Sequence, residues 1–121
     1  MYTHVWTKYL PIIRILAKRA STAEQTLDMN ATDFNRAGAG RKVSYKFSIR
    51  FRNGRLEDNM NPSPVAKDLL VVLLQDDVIK DLFRQNRYQV DMNAKFQLLI
   101  TQLPNETVAE AVADTQSVAQ D

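Results

Sequence analysis

Residues 43–52 read Val43-Ser44-Tyr45-Lys46-Phe47-Ser48-Ile49-Arg50-Phe51-Arg52 and run straight into Asn53-Gly54. Every odd position is apolar and every even one is polar. That period of two predicts a strand with one face on a core and the other in water. Asn53 and Gly54 both tolerate positive φ, which a type I′ turn requires. A hairpin over residues 43–59 follows, with its return through Arg55 to Asn59.

Working outward, residues 2–20 predict an amphipathic helix. Tyr2, Val5, Trp6, Tyr9, Leu10, Ile12, Ile13, Leu16 and Ala17 share a broad apolar face, with Lys8, Arg14, Lys18 and Arg19 opposite. Pro11 predicts a kink, or a helix that restarts there. Thr26 to Ala31 alternates as a short strand, and Asn35 to Lys42 reads as a glycine-containing basic loop. After the hairpin, Ser63-Pro64 is a helix start, with a serine cap and proline in the first turn. Residues 64–85 then read as helix, apolar all round at Leu69 to Leu74, with a bend where Asp76 or Asp77 caps a second segment. Residues 88–103 alternate again, as one long strand or as two strands joined near Asn93-Ala94.

Strands interrupted by helices, rather than alternating with them, predict an α+β fold. The expected architecture is an antiparallel or mixed sheet of three to five strands with helices packed on one face. The inward side of residues 43–51 is expected to meet Leu69 to Leu74 and the first helix. Residues 1–103 form a single domain, and residues 104–121 form an acidic tail without a packing face, expected to be disordered.

Composition excludes several function classes. The chain has 121 residues, 45% hydrophobic and 25% charged, which is ordinary for one globular domain. It has no cysteine, so there is no disulfide framework, thiolate metal site or cysteine nucleophile. The sole histidine, His4, lies next to a chain end, a poor place for a catalytic base. No carboxylate spacing matches a metal loop, and Asp76-Asp77 reads as a helix start. No cofactor is expected and no catalysis. No apolar run approaches the ~20 residues of a membrane span, and no secretory signal is evident, so the expected location is cytoplasmic.

Charge is segregated. The tail holds Glu106, Glu110, Asp114 and Asp121 and no base. Between residues 36 and 55 stand seven bases and no acid: Arg36, Arg41, Lys42, Lys46, Arg50, Arg52 and Arg55. Small hydroxyl spacers, Ser44 and Ser48, separate the outward bases and leave room for phosphate oxygens. Gly38-Ala39-Gly40 has neither the spacing nor the following helix of a phosphate loop. The aromatics of the strand face inward, so contact with a nucleic-acid backbone, DNA or RNA, is expected rather than base stacking.

The leading expectation is therefore a non-enzymatic module that binds a nucleic-acid backbone through this basic hairpin. The alternative is a protein-interaction or assembly subunit that works through its apolar helices. It would meet a protein partner, or its own kind as a homo-oligomer, through Tyr2, Trp6, Tyr9 and Leu10.

Overall fold

The computed structural model describes residues 2–21, 23–57 and 62–104. The expected tail, apart from Pro104, and the far end of the hairpin return lie outside the described residues.

Nine elements follow in chain order: α1 (Thr3–Arg19), β1 (Gln25–Asp28), α2 (Ala31–Gly38), β2 (Phe47–Arg52), β3 (Arg55–Leu56), α3 (Pro64–Gln75), α4 (Asp77–Gln85), β4 (Arg87–Met92) and β5 (Gln97–Leu103). The strands form one sheet in the order β1-β5-β4-β2-β3, with every neighbouring pair antiparallel. The fold is α+β, at the upper end of the expected strand number, and the sheet is antiparallel rather than mixed.

Alternation decides the two faces. Ile49, Phe51, Tyr88, Val90, Met92, Leu98 and Ile100 are all buried on the helix side. Ser48, Arg50 and Arg52 point the other way and stay exposed. The strongest alternation in the sequence therefore marks the sheet's sidedness correctly. Residues 43–46 keep the alternation but stand outside the ladder, so β2 begins at Phe47. Val43 and Tyr45 still pack against the core. Residues 88–103 form two strands. They join through a turn in which the Asn93 Oδ1 accepts from the Lys95 and Gln97 backbone N–H groups at 2.9 and 3.2 Å. Phe96 closes this turn at φ 59°, a conformation rare for a bulky residue. Its ring packs 5.0 Å from Tyr45 and 5.5 Å from Phe34, contacts that hold it there.

The helix α1 runs unbroken through Pro11, so the expectation of a restart there is wrong. Pro11 is exposed, and its ring displaces one hydrogen bond on the solvent side only. The α1 residues Val5, Trp6, Tyr9, Ile13 and Ala17 face inward. Ile12 does not: at 44% exposure it belongs to the outer side, with Ile15 at 49%. Two buried hydrogen bonds tie α1 to distant elements. Trp6 Nε1 donates to the Val65 carbonyl at 3.0 Å, and the Tyr88 hydroxyl donates to the Ala17 carbonyl at 3.1 Å.

The segment read as a loop over 35–42 begins as the last turn of α2. Asn30 caps that helix, its Oδ1 accepting from Thr32 N–H at 2.9 Å. Phe34 then enters the core against Trp6, with ring centroids 5.1 Å apart. Further on, Ser63 caps α3 and Asp76 caps α4, as their sequence positions predict. The α3 helix packs chiefly on α1 and α4, while α1 and α4 make the contacts with the sheet. Within Leu69 to Leu74, Leu69 and Leu73 are buried in the same core as Ile49 and Phe51, while Val71 is 47% exposed.

Candidate functional site

The antiparallel register places outward side chains in rows across the sheet. Arg52 lies opposite Arg55 of β3 on one side and opposite Arg87 of β4 on the other. Three arginines thus stand side by side on three adjacent strands, about 4.8 Å apart per strand. One step along, Arg50 pairs with Gln89, which pairs in turn with Thr101.

Like charges directly opposite one another repel. Glu57, the first residue past β3, offsets that repulsion. Its backbone N–H donates to the Arg50 carbonyl at 2.9 Å, continuing the hairpin by one bond. Its carboxylate accepts a 2.7 Å hydrogen bond from an Arg87 terminal nitrogen. The Nε atoms of Arg50 and Arg52 each lie 3.9 Å from its oxygens. The Glu57 side chain is 13% exposed and that of Arg87 19%. The Arg87 hydrogen bond above all, with the nearby charges of Arg50 and Arg52, holds the Glu57 carboxyl below the usual carboxylate range against the opposing effect of burial. Among the described residues, one acid therefore sits among three arginines.

The hairpin tip extends this basic region onto the helical layer. The Asn53-Gly54 turn, with φ 55° and 78°, rests against the last turn of α4. A Cβ on Gly54 would lie 3.6 Å from the Arg84 Cα. Around this contact, Asn53, Gly54, Arg55, Leu74, Lys80 and Arg84 line a cavity of about 180 Å3. Arg84 is held by Asp81 at 2.7 Å, with both side chains well exposed. Six bases (Arg50, Arg52, Arg55, Lys80, Arg84 and Arg87) thus gather at the hairpin end. Glu57 and Asp81 are the acids paired with them among the described residues.

The run of bases from Arg36 to Arg55 is divided in space. Arg50, Arg52 and Arg55 join the row. Lys46 is exposed just before β2, beside a shallow cavity of about 160 Å3 lined also by Ser48 and Ser63. Arg36 stands on α2 near Asp33 and Lys8, and Arg41 lies beside Tyr2 and Asp68. Lys42 is exposed in the segment that follows. Arg36 and Arg41 thus have their neighbours around α1. The Gly38-Ala39-Gly40 segment closes α2, with Ala39 N–H donating to the Asn35 carbonyl at 3.0 Å and Gly40 at φ 79°.

Lys80, Arg84 and Arg87 were missed by a reading centred on one basic run. Arg87 carries a usable signal: it precedes the inward residues Tyr88, Val90 and Met92 by one position and so must face outward. Lys80 and Arg84 stand one helical turn apart on α4.

Of the residues considered for a protein partner, Tyr2, Trp6 and Tyr9 are buried in the chain's own core. Leu10 is half-buried and lines a groove with Thr7, Val72, Gln75 and Asp76. His4 is exposed on α1. Among the described residues no three His, Asp or Glu side chains gather as metal ligands, and no helix is long and apolar enough to cross a membrane.

No protein-family model, curated protein or solved structure matches the chain.

Proposed function

We propose that the protein is a non-catalytic module that binds the phosphate backbone of a nucleic acid, DNA or RNA, at the hairpin end of its open sheet face. The observation that carries this reading is the Arg55–Arg52–Arg87 row, with Arg50 beside it. Strand pairing holds the backbones of these residues in place, so they need little ordering on binding. Five of the six bases at this end are arginines, whose planar fork matches phosphate oxygens in pairs. Aromatic rings lie on the opposite face of β2, so affinity comes from charge rather than stacking, and sequence discrimination is weak. A cytoplasmic setting fits a cysteine-free chain.

The test is fluorescence polarisation of labelled single- and double-stranded oligonucleotides over a salt series. Binding should weaken linearly on a log–log plot with a slope of several ions. Arg50→Glu/Arg52→Glu should abolish it while circular dichroism stays unchanged. Absence of binding to either oligonucleotide at low salt would overturn the reading.

A second reading, assembly through the helices, is favoured by the exposure of Ile12 and Ile15 on the outer side of α1. It requires that Ile12→Ser/Ile15→Ser lower the molecular mass measured by light scattering, whereas the nucleic-acid reading requires no change.

A further inference from the structure

We infer that the cavity at the hairpin tip is a phosphomonoester site, which takes the terminal phosphate of a strand lying along the arginine row. This rests on the backbone-binding reading above and names the kind of strand that the site prefers.

The cavity differs from the row in shape and in charge density. The row is a flat surface on which each arginine meets one passing phosphate. The cavity is concave, with the Asn53-Gly54 turn as one wall and Lys80 and Arg84 as another. Leu74 adds an apolar surface to the lining. Among the described residues, Arg55, Lys80 and Arg84 line the cavity and no acid does. The acid beside it, Asp81, holds Arg84 by a pair whose members are 64% and 66% exposed. Such a pair is weak in water and yields readily to a stronger anion.

Ligand chemistry follows from that arrangement. A backbone phosphodiester carries one negative charge, has two of its oxygens tied to sugars, and needs a path in and a path out. A terminal phosphomonoester carries close to two charges, presents three free oxygens and needs one opening. Three cationic residues lining one recess suit the second group. Arg55 belongs both to this cavity and to the row, so a strand whose end sits in the cavity leads directly onto Arg52 and Arg87.

The experiment compares one oligonucleotide in three forms, 5′-phosphorylated, 3′-phosphorylated and unphosphorylated, by fluorescence polarisation with the full chain at low salt. One phosphorylated form should bind about tenfold more tightly than the unphosphorylated one, the gain expected from one to three added charge-assisted hydrogen bonds. Lys80→Gln/Arg84→Gln should erase that advantage, so that the phosphorylated and unphosphorylated forms bind the variant equally, whatever affinity both lose with two charges of the basic face. Equal binding of all three forms overturns the cavity assignment and leaves the backbone reading standing. Failure of all three to bind overturns both. Inorganic phosphate supplies the remaining arm. If its binding, followed by amide chemical shifts, is lost in the double variant but no strand form is preferred, the cavity serves free phosphate and the strand-end assignment is wrong.

Discussion

Glu57→Gln separates the two roles that the carboxylate plays, support of the fold and partial neutralisation of the arginine row. The substitution keeps the side chain's size and an oxygen acceptor for Arg87, and removes one negative charge from among Arg50, Arg52 and Arg87. A unit charge about 4 Å from a phosphate in water-like surroundings is worth about 1 kcal/mol. Removing the repulsive charge should therefore raise polyanion affinity about fivefold at low salt. The salt slope should steepen by about 0.9, the value for one more neutralised phosphate. Between 200 and 50 mM salt, that change alone enlarges the variant's advantage about threefold. Stability moves the other way. A hydrogen bond between charged groups, with partners 13% and 19% exposed, becomes one to a neutral acceptor. The cost is about 1 kcal/mol, or about 4–8 °C in Tm for a domain of this size. The measurement pairs a polarisation titration at four salt concentrations with a thermal melt of the same preparation. Tighter binding by a less stable protein is the expected signature. Unchanged or weaker binding with an unchanged slope, in a variant still folded at the assay temperature, would show that phosphates do not bind near Glu57.

Three further outcomes follow from other parts of the molecule. The Arg14 hydrogen bond above all, together with the N–H of Ile79, holds the Asp76 carboxyl below its ordinary value of 3.8 against burial. The folded form therefore binds that proton less readily than the unfolded chain, and the stability this gives is present above about pH 4 and lost as pH falls through the folded value. Asp76→Asn keeps a cap for α4, so its Tm deficit against the parent should shrink steadily from pH 5 to pH 2, and a deficit independent of pH would exclude the charge as its source. Gly38→Ala places a Cβ 2.7 Å from the Tyr45 hydroxyl, which donates to the Phe34 carbonyl at 3.2 Å, and 3.1 Å from the Tyr2 hydroxyl; the crowding should cost about 1–3 kcal/mol in urea unfolding despite alanine's better helix propensity, and a stabilised variant would contradict this packing. Deleting residues 104–121 removes four acids and no base; polyanion affinity should rise at low salt and converge with the parent near 0.5 M, where charges are screened over a few ångströms, and equal affinity at low salt would show that the tail does not compete.

Which parts of this molecule can be read from its sequence depends on how far each signal reaches along the chain. The period of two in residues 43–52, the Asn53-Gly54 turn and the Ser63 and Asp76 caps act within a few residues of themselves, and each stands where its pattern predicts, except that residues 43–46 keep the alternation outside the ladder. The short α2 helix was hidden because its apolar content is little more than Phe34, and the glycines after it read as a loop rather than as the end of a helix. Proline does not divide α1 for the opposite reason: the local rule is sound, but packing of Trp6, Tyr9 and Ile13 on either side outweighs one lost bond. The six-base cluster could not be assembled from sequence, because Lys80, Arg84 and Arg87 reach it only through the pairing of β4 with β2 and the rest of the turn on α4. Glu57 is a different case. A two-residue turn at Asn53-Gly54 pairs Arg52 with Arg55 and, two steps on, sets position 57 across from Arg50. The acid that tempers the arginine row was therefore readable from the hairpin register alone. A tally of bases that stops at Arg55 misses it by two residues and overstates the charge that the face presents to a phosphate.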